Sequence, residues 1–240
     1  LSIPRPESDG PGYPPLDDKE AWRQRIAGGD AMILANYLGG GAKFDCEIRD
    51  IREGEARGYD LIPSGWDSAD RRVYLEIHGG ALIMGAGEVC KGMAVQTART
   101  VGTRVVAVDY RMPPDHPFPA GLDDCVAFYR MLLRDHAPHE IIVGGGSAGG
   151  NLAAATLLRA RDEGLPMPSA CMLISPEVDL TESGDSFNTN AVIDGMGRLM
   201  QANLLYANGA DLSHSYLSPL FGDFTKGFPP TLITAGTRDL

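Results

Sequence analysis

Residues 141–164, IIVGGGSAGGNLAAATLLRARDEG, place one serine among glycines, between two segments of different character. The apolar, β-branched residues 141–143 are typical of a buried strand, and the alanine- and leucine-rich residues from 148 onward are typical of a helix. A serine used only for packing or capping needs no flanking glycines, whereas a serine on a tight strand-to-helix turn does. The stretch therefore predicts that Ser147 lies at a sharp corner between a strand and a helix.

Short apolar runs recur on both sides of this stretch, and most are separated by helical segments. The predicted strands are RVYLEIHGG (72–80), RVVAVDY (104–110), IIVGGG (141–146), ACMLISPEV (170–178) and PTLITAG (230–236), with a hairpin of CEIRDIREG (46–54) and ARGYDLIPS (56–64) before them. The predicted helices are EVCKGMAVQTART (88–100), AGLDDCVAFYRMLLRDH (120–136) and AGGNLAAATLLRARDEG (148–164). This alternation predicts an α/β fold with a mostly parallel central sheet flanked by helices.

Three segments depart from the regular alternation. Residues 1–15 hold five prolines and predict an irregular arm. Residues 16–38 have helical spacing that Gly28 and Gly29 interrupt, which predicts two short helices. Residues 185–215 include a methionine-rich helical stretch. We therefore expect an N-terminal arm and cap helices in residues 1–45 and an α/β core in residues 46–240, with residues 185–215 contributing to a small helical cap.

Composition excludes several classes of function. A net charge of −11 disfavours nucleic acid and anionic membranes as partners, because both would repel the protein. No run of about 18 apolar residues is present to span a bilayer. The four cysteines lie far apart, so their spacing predicts neither a zinc site nor a disulfide framework. We expect no metal and no cofactor, and a reducing, cytoplasmic location.

Gly145, Ser147 and Gly149 fit the pattern G-x-S-x-G after a strand and before a helix, which is the context of a nucleophile elbow. In that geometry the N–H of Ala148, at the helix N-terminus, faces developing negative charge. The same glycines also fit the weak G-x-G-x-x-G pattern of a nucleotide-binding loop. That alternative lacks an acidic residue about 20 positions on and a phosphate-binding lysine, and nucleotide titration would test it.

A second glycine segment, EIHGGALIMG at 76–85, follows another predicted strand. Without side chains in the way, the N–H groups of Gly79 and Gly80 can point into a site and form the other half of an oxyanion hole. Ala81 takes the position where a third glycine is common. For His78 we favour a structural role, holding this loop by hydrogen bonds, over proton transfer.

The chain resembles the hormone-sensitive-lipase-like (bacterial family IV) carboxylesterases of the α/β-hydrolase fold. The segments that carry the resemblance are HGGA (78–81), VDYRMPPDHPFPAGLDD (108–124), GGGSAGGNLAAA (144–155), SPEVDLTESGDSF (175–187) and ITAGTRDL (233–240). They cover about residues 73–240, although Gly146 replaces the Asp or Thr usual before the nucleophile. The resemblance implies a serine esterase with a mobile N-terminal cap that acts on short acyl esters without a cofactor.

The resemblance also implies that Asp239 is the acid of a Ser-His-Asp triad. The fold's order is serine, acid, histidine, yet no histidine follows Asp239. We therefore expect the catalytic histidine to lie beyond Leu240 and the 240-residue form to be inactive without it. The upstream histidines are expected to be structural or exposed, and the least implausible substitute is His214, since cap segments overlie the site; the others are His78, His116, His136 and His139.

Further residues have expected roles outside the chemistry. Asp109 and Arg111 are expected to brace a turn through an ion pair. Glu177 and Asp179 follow a predicted strand at the carboxyl edge of the sheet, where they are expected to make loop hydrogen bonds. An uncovered sheet edge near the end of the sequence would allow a homodimer. The alternative to an esterase is a non-catalytic small-molecule-binding protein on the same fold, as the plant gibberellin receptors are.

Overall fold

A computed structural model of the chain describes residues 12–38, 44–190 and 197–236. Its sheet has seven strands in the order β1-β2-β4-β3-β5-β6-β7. The first two strands form an antiparallel hairpin, and β2 runs antiparallel to β4. The five strands from β3 onward are parallel to one another. The strands are β1 (Cys46–Glu53), β2 (Ala56–Pro63), β3 (Val73–Ile77), β4 (Arg104–Asp109), β5 (Ile141–Gly146), β6 (Ala170–Ile174) and β7 (Thr231–Thr234).

Helices cover both faces of this sheet, so the predicted α/β fold with a mostly parallel, helix-flanked sheet is confirmed. The described helices are α1 (Lys19–Ile33), α2 (Glu88–Val101), α3 (Ala120–Asp135), α4 (Ala148–Asp162), α5 (Ser186–Thr189) and α6 (Met200–Ala207). A π-helical turn follows α1 at Leu34–Leu38, and short 3₁₀ turns lie at Pro138–Glu140, Pro219–Phe221 and Phe224–Lys226. The predicted positions of α2, α3 and α4 all hold.

Strand β3 shows how the two layers are divided. Its alternate residues Val73, Leu75 and Ile77 join the large buried cluster that also contains the inner faces of α3 and α4. Tyr74 belongs to the second cluster, against α2. Because strand side chains alternate between faces, Glu76 points to the same side as Tyr74, where it is 7% exposed. The strand that leads toward the site therefore carries a buried carboxyl group on its α2 face.

The two short helices expected around Gly28 and Gly29 are in fact one helix, α1, which runs through both glycines. Gly28 has open space around its α-carbon, but a β-carbon on Gly29 would lie 2.2 Å from the Met84 sulfur. Gly29 is thus a contact surface of the helix rather than its end. Tertiary packing overrides the low helix propensity of glycine here.

A third cluster joins α1 to α6. Trp22 of α1 is fully buried together with Ile83, Ala202 and Leu205, so both helices pack over the segment that follows β3. The predicted cap segment 185–215 therefore contains α5 and α6, while its residues 191–196 lie outside the described part of the chain. None of the helices in the described ranges has the length and apolar character needed to cross a bilayer.

Strand β7 forms the far edge of the described sheet. Its residues Leu232 and Ile233 are 54% and 61% exposed, in contrast to the buried central strands. The homodimer stays a prediction.

Candidate active site

The serine corner, residues 145–150, joins the end of β5 to the start of α4. Ser147 has φ 54° and ψ −124°, a strained conformation that residues with a side chain rarely adopt. Its N–H donates to the Ile174 carbonyl on β6 at 2.9 Å, and its carbonyl accepts from the Gly150 N–H at 2.9 Å. These bonds hold the half-buried Ser147 at the carboxyl edge of the sheet, where the glycine pattern predicts a corner.

The glycines of the serine corner allow β3, β5 and α4 to approach one another closely. A β-carbon on Gly145 would lie 2.2 Å from the Ile77 carbonyl oxygen, and one on Gly149 would lie 1.9 Å from the same atom. No side chain fits at either distance. The glycines thus pack against the end of β3, as a nucleophile elbow requires, rather than lining an open phosphate cradle.

The HGG loop, residues 78–87, leaves β3 beside the serine corner. A β-carbon on Gly79 would be 3.5 Å from the Ser147 β-carbon and 2.9 Å from the Gly146 carbonyl oxygen. Gly80 has φ 130°, and Ala81 follows it with φ 53°. The structure therefore brings Gly79 next to Ser147, and Ala81 adopts the left-handed conformation without being a glycine.

Ala148 begins α4, so its N–H belongs to the first helical turn, where donors have no partner inside the helix. The Ser147 hydroxyl is consequently flanked by a helix N-terminus on one side and by the HGG loop on the other. Backbone donors arranged in this way suit the stabilisation of negative charge that forms beside a hydroxyl nucleophile.

His78 braces the HGG loop from within. Its Nδ1 donates to the Gly79 carbonyl at 2.8 Å, and its ring stacks on Tyr110 with centroids 4.1 Å apart. The Tyr110 hydroxyl donates in turn to the His78 carbonyl at 3.0 Å. Burial lowers the pKa of His78, which favours a neutral ring. These contacts confirm the structural role expected for this histidine.

The prediction of an ion pair between Asp109 and Arg111 is wrong, although both residues do brace loops. Asp109 accepts from the Gly87 N–H at 2.9 Å and so ties down the far end of the HGG loop. Arg111 instead pairs with the buried Asp124, at 2.8 Å, and with Glu55, at 2.6 Å. Asp109 ends β4 on the α2 face, and its carboxylate is committed to the loop.

Among the described residues, one group has the donor set for a metal ion. A ring nitrogen of His78, the Cys90 sulfur and a carboxylate oxygen of Asp109 lie within 4.8 Å of one another. The Cys90 thiol contacts the Val108 carbonyl at 3.6 Å. The group lies behind the HGG loop, and two of its members already brace that loop by hydrogen bonds. The four cysteines of the chain are free thiols.

Two of the upstream histidines, His136 and His214, have hydrogen-bond partners for their side chains. His136 is buried, with its Nδ1 donating to the Arg71 carbonyl at 2.9 Å. His214 accepts from the Tyr216 N–H at 3.1 Å and packs against that ring and Phe118. Within the described ranges, no histidine hydrogen-bonds to Ser147. Asp239 lies outside the described residues, five positions after the end of β7.

Glu177 lies closer to the serine corner than its sequence context indicated. Its N–H donates to the Ser147 carbonyl at 3.2 Å, and its own carbonyl accepts from the Asn151 side chain at 2.7 Å. Burial raises the pKa of its carboxyl to about 7, and one carboxyl oxygen has no hydrogen-bond partner. A glutamate after a strand gives no sequence signal of such burial. Asp179, as expected, caps its loop through Thr181 and Ser183.

Comparison with known proteins agrees with this geometry. The family model described as the alpha/beta hydrolase fold matches residues 74–240, and the chain belongs to that family. More narrowly, it belongs to the hormone-sensitive-lipase-like group of the α/β-hydrolase fold. An acetyl-hydrolase of Streptomyces hygroscopicus is 37% identical over 71% of this chain, and an esterase of Acinetobacter venetianus is 33% identical over 81% of it.

Solved structures give the same picture. An esterase of the bacterial hormone-sensitive lipase family superposes with a TM-score of 0.76 at 30% identity, covering 93% of this chain and 72% of that one. The esterase EstE5, in a crystal soaked with p-nitrophenyl butyrate, has a TM-score of 0.78 at 33% identity, covering 97% and 73%. The chain spans 58% and 64% of the lengths of the Streptomyces and Acinetobacter relatives.

Proposed function

We propose that the protein is a serine carboxylesterase that hydrolyses short-chain carboxylic esters through an acyl-enzyme intermediate. The observation that carries this proposal is the position of Ser147. It stands at positive φ on a strand-to-helix corner, with Gly79 of the HGG loop directly beside it. A corner this strained and this closely packed with glycine suits a hydroxyl that must be presented to a substrate.

In the proposed reaction the Ser147 Oγ attacks the ester carbonyl carbon, and the carbonyl oxygen becomes an oxyanion. The N–H groups of Gly79, Gly80 and Ala148 donate to that oxyanion. Their stabilisation is greatest in the transition state, where the negative charge has developed, so they raise the rate of the chemical step. The alcohol leaves, and water then attacks the acyl-enzyme and releases the acid.

A histidine is needed to take the Ser147 proton and to give it to the leaving alcohol. We propose that this histidine lies outside the 240 residues and that Asp239 orients it. Strand β7 pairs in parallel with β6, so β7 ends at the carboxyl edge of the sheet, where Ser147 also stands. In this reading His78 and Asp109 brace the HGG loop and take no part in proton transfer.

The proposed substrate class is a small, uncharged ester. Its support comes from the relatives, among which are an acetyl-hydrolase and an esterase whose crystal was soaked with p-nitrophenyl butyrate. The cap proposed from residues 1–45 and 185–215 would close over the acyl group, and the contact of Trp22 with α6 and Ile83 is consistent with that arrangement. The strongly acidic chain favours uncharged rather than anionic substrates.

The test uses the natural protein that contains this chain, assayed with p-nitrophenyl acetate, butyrate and decanoate. We expect turnover of the two shorter esters, and we expect Ser147→Ala to lower kcat by roughly 10⁴- to 10⁶-fold while the fold is retained. Ser68→Ala, in an exposed turn outside the proposed cap, serves as the matched control and should keep full activity. A sulfonyl fluoride should sulfonylate the Ser147 hydroxyl with loss of HF, which adds the mass of the reagent less HF to the Ser147 peptide. Full activity in Ser147→Ala would refute the assignment.

The alternative function is a non-catalytic small-molecule-binding protein on the same fold. One observation favours keeping it: no histidine within the described ranges contacts Ser147. A binding protein would show saturable binding of a non-hydrolysable ester analogue, no turnover, and no labelling of Ser147 by the sulfonyl fluoride. An esterase would show labelling and turnover together.

A further inference from the structure

We propose that Asp30, on the N-terminal helix α1, is a positioning residue that holds the HGG loop in the geometry needed for oxyanion binding. This inference rests on the proposed esterase function. The Asp30 Oδ1 accepts a hydrogen bond of 2.8 Å from the Gly85 N–H, across 55 residues of sequence. Asp30 is half-buried, and a hydrogen bond from a backbone N–H to a carboxylate is stronger than one between two neutral groups.

Gly85 is the point at which the loop folds back onto its own start. It has φ 109°, and a β-carbon there would lie 2.4 Å from His78 Nδ1 and 2.6 Å from the Gly79 carbonyl oxygen. The peptide that Asp30 holds is therefore packed directly on the peptide whose N–H is proposed to bind the oxyanion. A shift of Gly85 would release Gly79 on the side away from Ser147.

The helix is built to approach the loop at this place. Gly29, the residue before Asp30, has no side chain where the Met84 sulfur lies, so α1 and the loop come into close contact. About two turns earlier on the same helix, the buried Trp22 packs with Ile83 of the loop. Three consecutive loop residues, 83, 84 and 85, thus contact α1, and Asp30 supplies the polar contact among them.

Two carboxylates from different elements of the chain hold the loop. Asp109, at the end of β4, accepts from the Gly87 N–H and belongs to the core sheet. Asp30 accepts from the Gly85 N–H and belongs to the proposed cap. Burial raises the pKa of Asp30, with a further contribution from the charge of Asp109, so the two groups are close enough to interact. The proposed cap would in this way complete the oxyanion hole as well as cover the substrate.

The expected consequence is selective for the chemical step. Because oxyanion donors act mainly on the transition state, loss of their alignment lowers kcat and leaves KM nearly unchanged. We expect Asp30→Ala to lower kcat roughly 10- to 100-fold, with KM altered by less than about threefold. Asp30→Asn keeps an oxygen acceptor of the same size and should restore kcat to within about threefold of the wild type.

The control variant is Asp115→Ala. Asp115 also ties α1 to the core, through an exposed ion pair of 2.7 Å with Arg23, but it does not touch the HGG loop. Its removal should leave kcat unchanged, since exposed pairs of this kind contribute little. A purely structural role of Asp30 as an anchor of α1 predicts that Asp30→Ala and Asp115→Ala behave alike.

A second readout does not depend on catalysis. Hydrogen exchange of the backbone amides in residues 79–87, measured on the natural protein and its variants, should be faster at Gly85 by at least about tenfold in Asp30→Ala. It should be near the wild-type rate in Asp30→Asn and in Asp115→Ala. Wild-type exchange and wild-type kcat in Asp30→Ala would each overturn the proposal. If Ser147→Ala retains full activity, the esterase assignment fails by itself, and amide exchange still decides whether Asp30 holds the loop.

Discussion

The serine corner and the HGG loop meet at Gly79, yet they are held in place by different kinds of contact. The corner is fixed by contacts at van der Waals distance between backbones, where Gly145 and Gly149 lie against the Ile77 carbonyl. The loop is fixed by carboxylates that come from distant parts of the chain, Asp30 and Asp109. The serine corner is therefore held by close contact between backbones that have no side chains between them. The HGG loop is held by hydrogen bonds from two side chains that lie far apart in the sequence.

The largest expected effect tests the rigid half. Gly149→Ala would place a β-carbon 1.9 Å from the Ile77 carbonyl oxygen, which cannot move without displacing β3. We expect a loss of unfolding free energy of about 4 kcal/mol or more, or no folded protein at all. Thermal and denaturant unfolding measure it. A variant within about 1 kcal/mol of the wild type would mean that Gly149 is not tightly packed against the Ile77 carbonyl.

The second largest expected effect is at Glu76 on β3, the strand that packs against the serine corner and leads into the HGG loop. Glu76 lies between Ala107 and Gly144 in the sheet, and burial raises the pKa of its carboxyl to about 8. A raised pKa means that the folded state prefers the protonated form, so this stability is fully present below about pH 4.5 and is lost as pH rises to 8. We expect the free energy of unfolding to fall by roughly 4–5 kcal/mol across that window.

The matching variants separate Glu76 from the other acids. Glu76→Gln should flatten the pH dependence of unfolding, because the amide stays neutral throughout. Glu47→Gln, on the exposed strand β1, should keep the wild-type slope, and the Arg49 side chain already lowers the pKa of that carboxyl. Equal slopes in the wild type and in Glu76→Gln would contradict the prediction. The buried Glu177 contributes a change of the same sign up to about pH 7.

The smallest effect compares two neighbouring glycines of α1. Gly28→Ala meets open space and should stabilise the protein by about 0.5–1 kcal/mol, since alanine favours the helix. Gly29→Ala gains the same propensity but must displace the flexible Met84 side chain, 2.2 Å away, so we expect a net loss of about 1 kcal/mol. Denaturant unfolding of the two variants gives the difference. Identical values would show that α1 does not press on the HGG loop.

Several structural features were predictable because their causes are local. The strands β3 to β7 lie where apolar runs predict them, and Ser147 occupies the corner that the glycine spacing indicates. Other predictions failed for non-local reasons. Glycines 28 and 29 continue a helix because Met84 packs against it, and Arg111 finds Asp124 rather than Asp109. The roles of Gly79, Gly80, Ala148 and Asp239 remain proposals.

By itself the sequence determined the α/β alternation, the serine corner and the HGG segment, because strand and helix periodicity and glycine spacing act over a few residues. Only the tertiary structure decided that a β-carbon on Gly79 would lie 3.5 Å from the Ser147 β-carbon. It also decided that Glu76 and Glu177 are buried and that Asp30 reaches Gly85. Such contacts join residues far apart in the chain. Their formation depends on how helices and sheet pack together, which no local pattern records.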